Sequence, residues 1–584
     1  MNPPVTRDLL ADTLEEIALL LELQDDNPFK IRAYRAGAEA VRSHDADIVA
    51  LARDRQLEGI KGIGSALRDK LHELATTGRL EFHQQLRAAV PATLFELFDL
   101  AGLGPKKIRR LWQDLQVTSL DTLQAACDAG RVAALPGFGP KSQQAILAAI
   151  ARHRQAAGCF HLGTVAHPAE RILDFLRSHP HTLRAAAAGS FRRSREVVHD
   201  LDFLVATRQP AELTRAFCAM PGVAEVLACG DTKASVRLEG GLQCDLRAVA
   251  NPQFPFALQY FTGSKEHNIA LRRRALAHGL SLNEYGFEPA GEAPAATLPA
   301  VAEEDDVYQA LGLQPVPPEL REDRGELEAA AAGSLPCLVE PANLRGTFHC
   351  HTTASDGRAT LEEMAAAAAD LGLEYLGIAD HSKASFQANG LDQDRLLEQV
   401  ARIRAFNRQP HPPLHLFAGS EVDILKDGSL DFDDATLAQL DYAVASVHSA
   451  FSLDQAAMTR RICRAMEHPH VTILGHLTGR LLLKRDGYAV DHATVIDCAA
   501  ATRTVIELNC NPWRLDMDWR WWKRARDKGV LCALNPDAHH PDHLQFLALG
   551  IRLARKGWLR RTDILNTRPR AAIQTFLATP KPNR

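Results

Sequence analysis

From residue 344 onward, short apolar runs alternate with helical stretches, and almost every run ends in a histidine or a carboxylate. His349-Cys350-His351 puts two imidazoles on one face of a strand, since alternate residues share a face. Asp356 follows in a Ser-Asp-Gly loop, and Asp380-His381 closes the run 375–379. Glu421 comes after 416–419, His448 after 442–447, His476 after 471–474, and Asp537 and His539 after 530–534. Ligating groups at the carboxyl ends of successive strands predict a (β/α) barrel, which builds its active site at that end. A single buried histidine is usually a satisfied core residue, but a series in step at strand ends reads as a metal centre. Mixed imidazole and carboxylate donors suit Mn²⁺, Zn²⁺ or Fe²⁺ better than Mg²⁺ alone, and such ions activate water for phosphoester cleavage near neutral pH.

A second acidic cluster lies upstream. The stretch from Gly189 to Asp202 ends in Asp200-Leu201-Asp202, followed by Phe203, Leu204 and Val205, a strand with both carboxylates on one face. Asp245 stands in a run of period two after the Gly240-Gly241 turn; that hairpin strand, laid beside the first, brings three carboxylates together. Three such groups repel one another unless cations sit between them, and a pair of Mg²⁺ ions there serves in-line displacement at phosphorus. Gly189 and Ser190 offer backbone N–H groups and a hydroxyl where a strand turns into a helix, and Arg193 lies one turn on, so a polyphosphate is expected there.

These residues resemble the DNA polymerase X family, and residues 258–286, from Leu-Gln-Tyr-Phe-Thr-Gly-Ser-Lys to Asn-Glu-Tyr-Gly, are similar to its nucleotide-binding and thumb segment. The resemblance implies that Tyr260, Phe261 and Gly263 floor the incoming sugar and base, that Asn268 reaches the minor-groove edge, and that Arg272 faces the template. Lys265 is an added phosphate contact. The family usually has glycine before the first metal aspartate; here it is His199, which puts the strength of synthesis in question. The second half resembles the PHP domain, a distorted TIM-like barrel. That resemblance implies three ions, Mn²⁺ or Zn²⁺, held by His349, His351, Asp356, His381, Glu421, His448, His476, Asp537 and His539. It also implies 3′-to-5′ exonuclease or 3′-end processing, with abasic-site cleavage in some members.

The first hundred and fifty residues are helical by period and repeat one small element three times. Ile60-Lys61-Gly62-Ile63-Gly64-Ser65, Leu100-Ala101-Gly102-Leu103-Gly104-Pro105 and Leu135-Pro136-Gly137-Phe138-Gly139-Pro140 each place Gly-apolar-Gly before a helix. They look like helix-hairpin-helix elements, in which Gly62, Gly64, Gly102, Gly104, Gly137 and Gly139 let backbone approach a DNA phosphate, with Lys106, Lys107 and Lys141 beside it. Phe29 to Arg35 and the helix holding Lys70 resemble the amino-terminal domain of DNA polymerase β. By that resemblance Lys70 is a candidate Schiff-base lysine for removing a 5′-deoxyribose phosphate, with Lys30 and Arg68 as the neighbouring cations. The plain alternative is a basic face gripping a 5′-phosphate.

At 584 residues, 46% hydrophobic and 24% charged, the chain is multidomain α/β with room for several full cores. The expected order is an amino-terminal helix-hairpin-helix, lyase-like domain (1–85), fingers with two more such elements (86–158), an α+β nucleotidyltransferase palm (159–250), a thumb (251–325), a linker (326–343) and the PHP phosphoesterase barrel (344–584). Eleven cysteines without Cys-x-x-Cys pairs suggest reduced thiols, no run is long enough to span a bilayer, and Met1 to Val5 lack a leader pattern, so a cytoplasmic monomer with no membrane partner is expected. The net charge of -5 hides basic faces behind metal-site carboxylates. Trp513 to Trp522, interleaved with Arg514, Arg520, Lys523 and Arg524, either stack on bases or pack a barrel helix.

Two functions remain open at this point. One is a gap-filling repair DNA polymerase acting on gapped or primed duplex and dNTPs, with Mg²⁺ at Asp200, Asp202 and Asp245 and a trimming barrel. The other is a DNA-end or abasic-site phosphodiesterase whose palm has weakened because of His199.

Overall fold

The glycine elements and the apolar runs each fold as local pattern dictates. In a computed structural model, residues 5–44, 47–100, 102–290 and 298–584 are described; Met1 to Pro4, Asp45, Ala46, Ala101 of the second glycine element and residues 291–297 lie outside them. The chain divides into two units, Met1–Ala157 and Gly158–Arg584.

The first unit is entirely helical among the described residues, around one core that includes Leu10, Leu14, Ile17, Leu71, Leu94, Ile108, Leu111 and Ile146. Helices Ser65–Thr77, Pro105–Leu115 and Pro140–Ala156 start at Gly64, Gly104 and Gly139 without a side-chain cap, leaving their first N–H groups open. The preceding Gly62, Gly102 and Gly137 all have φ between 84° and 93°, a conformation a Cβ resists.

In the second unit, helix α1 (Leu162–Ser178) precedes a five-stranded sheet: β1 (Thr182–Ala187), β2 (Asp200–Thr207), β3 (Val223–Cys229), β4 (Lys233–Leu238) and β5 (Gln243–Val249). Its order is β1-β2-β5-β4-β3, with β2 and β5 parallel and the other pairs antiparallel. The four-residue helix α2 (Gly189–Arg192) sits between β1 and β2. Helices α3 (Phe254–Thr262) and α4 (Lys265–Ala277) follow, and Ala257 and Leu258 of α3 pack on Leu204 and Ala206 of β2.

Residues 326–343, expected to be a linker, are built into the fold. Leu327, Ala330 and Leu338 are buried in the cluster formed by Leu271, Tyr308 and Leu311. Glu326 is buried too, its carboxylate 2.7 Å from His267 Nδ1 and accepting the main-chain N–H groups of Asp323 and Arg324. The segment opens with a short helix, Glu326–Ala331, pinned at its start by the contact between Glu326 and the buried His267.

The barrel strands are β6 (Gly346–Cys350), β7 (Tyr375–Ile378), β8 (His415–Asp423), β9 (Tyr442–Ser446), β10 (Val471–Leu474), β11 (Val505–Asn509) and β12 (Cys532–Asn535). All seven are parallel and adjacent in sequence order. They are buried almost throughout, which explains their continuous apolar runs. A parallel bridge of Cys350 to Ala538, and Thr347 Oγ1 donating to Leu534 O at 2.9 Å, bring β12 back to β6 and nearly close the ring. Phe348, Tyr375, Phe417 and Tyr442 fill its centre with mutually tilted rings. Helix α5 (Leu547–Lys556) packs against the barrel strands.

Candidate functional site

In the five-stranded sheet, β2 and β5 run side by side with Asp202 directly opposite Asp245 and Asp200 opposite Gln243. Asp200, Asp202 and Asp245 therefore emerge on one face, each half-buried. Burial, then the charges of Asp200 and Asp245, push the Asp202 carboxyl up to about 7, and burial with Asp245 raises Asp200. A site that resists its own ionisation is built for cations, so these carboxylates fit a divalent metal. Gly189, at φ 61°, lies so close to Asp202 that a Cβ there would strike its carboxylate, which is why the loop carries glycine.

Arg193 Nε donates to Glu322 at 3.1 Å, its guanidinium also reaches Thr262 O, and its charge is felt at Asp202. Gly263 packs against that guanidinium, where a Cβ would come within 3.1 Å of Nη1. Ser190 is half-buried and Lys265 exposed. Tyr260 and Phe261 meet edge to face at 5.0 Å, with Arg272 over Tyr260 at 5.1 Å and Arg247 over Phe261 at 4.5 Å. Asn268 is fixed between Gln259 and Tyr260 O, both at 2.8 Å. His199 is exposed, and its Nε2 lies 3.2 Å from Cys159 Sγ.

At the barrel mouth the predicted ligands converge into three overlapping groups: His351, Asp356, His381 and His539; His349, His351 and Glu421; His381, Glu421 and His448. Glu421 is the hub. His381 Nδ1 and His476 Nε2 lie 2.9 Å from its oxygens, His448 Nε2 3.3 Å and His349 Nε2 3.4 Å. Asp537 sits 3.2 Å from His351 Nε2, and Asp356 3.4 Å from His539 Nε2. His349 Nε2, both nitrogens of His351 and His381 Nδ1 are buried without hydrogen-bond geometry to any group among the described residues. Buried imidazole nitrogens aimed at carboxylate oxygens without bonding them are what metal ligation requires, so the donor set fits metal ions.

Burial alone would raise the Glu421 and Asp537 carboxyls, but the surrounding imidazoles hold both well below the usual carboxylate range. Against its own burial, Glu421 and Asp423 lift His448 to about 10, whereas burial and its neighbours His539 and His381 depress His351 to about 3.

Two supporting carboxylates escaped the strand-end pattern. Glu507, fully buried mid-strand in β11, binds His349 Nδ1 at 2.7 Å and accepts from His476 N at 3.0 Å and from Asn509 and Asn535, both at 2.9 Å. Asp423 lies 3.1 Å from His448 Nδ1. A charge inside an otherwise apolar strand was the signal for Glu507, since such residues are almost never buried unpaired. Arg514 Nε lies 3.4 Å from Asp537 and is partly exposed. Of the tryptophans, Trp519 and Trp522 are buried and Trp521 stacks on His492 at 4.9 Å, so these three pack; Trp513 is 40% exposed, its ring 5.7 Å from that of His161.

In the first unit, Gly62, Gly64, Gly102, Gly104, Gly137, Lys106 and Lys141 are exposed and Gly139 half-buried. Lys30 and Lys70 each place Nζ 5.2 Å from the centre of the Phe82 ring; Lys30 pairs with Asp26 at 2.8 Å and Arg68 with Glu58 at 3.4 Å. The two lysines thus lie against the same ring.

Family models match four segments: a helix-hairpin-helix domain at 5–80, a SAM-like helix-hairpin-helix tandem at 94–152, the DNA polymerase beta thumb at 257–322 and the PHP domain at 347–509. The DNA polymerase/3′-5′ exonuclease PolX of Bacillus subtilis is 38% identical over 566 residues, 97% of this chain and 98% of the relative. A probable phosphatase of Caldicellulosiruptor saccharolyticus is 29% identical over 202 residues, 33% of this chain and 78% of the relative. One from Aliivibrio fischeri is 27% identical over 208 residues, 33% and 76%.

Proposed function

Since the chain belongs to the PolX family of DNA polymerases with a 3′-5′ exonuclease, we propose a division of labour between its two carboxylate centres. It is a metal-dependent DNA polymerase and exonuclease of the repair type, and it binds DNA. Addition is assigned to Asp200, Asp202 and Asp245, and 3′-end trimming to the barrel. The observation that carries this is the presence, in one unit, of two clusters of different chemistry: carboxylates alone on one face of β2 and β5, and mixed imidazole and carboxylate at the barrel mouth.

When bound, the metals supply Lewis acidity at phosphorus and activate the attacking oxygen, Mg²⁺ in the palm and Mn²⁺ or Zn²⁺, three ions in all, in the barrel. The protein's own residues do the rest. Gly189, Ser190, Arg193 and Lys265 hold the triphosphate of the incoming dNTP; Tyr260, Phe261 and Gly263 support its sugar and base; Asn268 and Arg272 address the pair edge and the template. In the barrel, Arg514 is placed to hold the phosphate being cut, since it stands beside Asp537 with part of its surface open. The glycine elements with Lys106 and Lys141 grip the backbone of gapped or primed duplex irrespective of sequence. Lys70, with Lys30 beside it, is the proposed lyase nucleophile, and borohydride trapping on an incised abasic duplex would leave no Lys70-dependent adduct if it is not. The protein acts as a monomer in this reading.

The test is a one-nucleotide gapped duplex with a labelled primer, run with Mg²⁺ and dNTPs and, in parallel, with Mn²⁺ and no dNTPs. Template-directed addition in the first and shortening in the second are expected. Shortening without addition would make the palm a DNA guide for a nuclease.

A further inference from the structure

The barrel domain reaches into the loop that carries Arg193. Lys556, at the end of α5, is fully buried; its Nζ donates to Arg193 O at 2.8 Å, to Glu322 Oε1 at 2.7 Å and to Glu319 O at 3.4 Å. The Trp519 ring covers the ammonium at 4.5 Å. Arg552, one turn earlier on α5, donates to Ser194 Oγ at 3.1 Å and to Phe191 O at 2.5 Å. Arg480 and Trp519 of the barrel both bind Glu196, at 2.9 and 3.0 Å. The loop from Phe191 to Glu196 is therefore held by barrel side chains along its length.

The partner of Arg193 is distinctive. Its neighbour Arg192 is bidentate to Glu304, at 2.9 and 2.6 Å, and Arg321 shares that carboxylate, so this group is closed on itself. Arg193, by contrast, shares Glu322 with Arg195 at 3.4 Å and with Lys556. Three cations attend one carboxylate, so any of them can leave while Glu322 stays paired. Burial raises the Glu322 carboxyl, and Lys556 and Arg193 outweigh it and hold it below its usual range. Burial and the two guanidiniums push Lys556 down to about 8, the mark of a cation kept in place against its own desolvation.

We infer that Glu322 competes with the nucleotide triphosphate for the guanidinium of Arg193, and that Lys556, supplied by the barrel domain, is a positioning residue for nucleotide addition because it keeps Glu322 paired when Arg193 turns to phosphate. The exchange conserves charge: one anion replaces another at Arg193, and Glu322 passes to Lys556 and Arg195. The barrel thus serves synthesis without using its metal ligands. The inference rests on the assignment of Arg193 to the triphosphate.

The test measures kcat and KM for dNTP on the one-nucleotide gap with the full-length protein, and trimming as a control. Arg193→Ala should raise KM at least about tenfold; if it leaves KM unchanged, the assignment of Arg193 fails and the inference with it. Glu322→Gln should lower KM about threefold by releasing Arg193, and Lys556→Met should raise it about fivefold with kcat within about twofold and trimming unaltered. The double variant Lys556→Met/Glu322→Gln should return KM to near the wild-type value, which a loop displaced for structural reasons would not do. If Arg193→Ala raises KM while Glu322→Gln leaves it unchanged, the competition is refuted and the nucleotide assignment stands. If Lys556→Met lowers kcat, or is not rescued by Glu322→Gln, Lys556 is scaffold only. Should Lys556→Met fail to fold, the Glu322→Gln result decides alone.

Discussion

The palm and the barrel solve the same problem, holding metal for chemistry at phosphorus, with opposite electrostatics. In the palm, three carboxylates stand together on β2 and β5, and burial, followed by the charges of Asp200 and Asp245, pushes the Asp202 carboxyl up to about 7. In the barrel, imidazoles surround each carboxylate, and Glu421 and Asp537 are held well below their usual range. The palm is short of positive charge, so it calls for a cation from solution and holds it chiefly by charge. The barrel is internally compensated, so its ions must be selected by ligand geometry and donor type.

The strongest way to break this comparison is to disable one centre at a time. Asp202→Ala should reduce extension at least about 100-fold and leave trimming intact, while His351→Ala should do the reverse, each read on the labelled gapped primer. Loss of both activities from either change, in a folded protein, would mean that the centres are not separate.

A smaller effect sharpens what holds the barrel ions. Glu507 touches none of the proposed ions but fixes His349 Nδ1 at 2.7 Å and so directs Nε2 toward the cluster. Glu507→Gln should cost about 10- to 100-fold in barrel metal affinity, measured by metal content after dialysis, with extension unchanged. Full retention of metal would show that the ligands alone orient themselves.

The palm's unbalanced charge predicts a stability cost. In protein stripped of metal by chelation, the Asp202 carboxyl titrates at about 7, well above its unfolded range. The folded state binds that proton more tightly, so its stabilising contribution is complete below about pH 4 and is lost as the pH rises through about 7. Glu421 and Asp537, depressed, contribute in the opposite sense: their share is present above the unfolded carboxylate range and is lost as the pH falls through their folded values. Asp202→Asn should therefore raise the Tm of the chelated protein at pH 8 by about 1–3 °C and flatten its dependence between about pH 5 and 8. A Tm lower than that of the wild type at pH 8 would contradict the repulsion.

The strand-end ligands were legible because the signal is local: an apolar run announces the strand, and the residue after it announces the site. Asp200, Asp202 and Asp245 were legible for a similar reason, since period two fixes the face and a Gly-Gly turn fixes the hairpin. Glu507 was not, because a lone charge in Val505–Asn509 reads as an interruption until its partner His349 is found 158 positions away. Lys556 was farther from reach still. Its partners Glu322 and Arg193 are 234 and 363 positions distant, and no periodicity links a barrel helix to a palm loop. Segment 326–343 was misjudged for the same reason: the residues that bury Leu327, Ala330 and Leu338 include Leu271, Tyr308 and Leu311, which no local pattern joins to it.

The least effect is expected at His199, where the sequence departs from its family. Its ring is exposed and engaged with Cys159, 3.2 Å from the sulfur. The backbone around it continues from Val197-Val198, paired with Phe160-His161, into β2, so the residue that follows still enters the sheet in register. The imbalance at Asp200 is set first by burial and Asp245, which raise its carboxyl, and only then by His199, which lowers it. His199→Gly should change kcat/KM for gap filling by no more than about threefold, with a small loss of stability from the freed backbone, on the order of 0.5–1 kcal/mol. A tenfold gain would mean that the side chain crowds the metals and that synthesis is held in check at this position, which would bring the palm's unbalanced site closer to a vestige than to a working partner of the barrel.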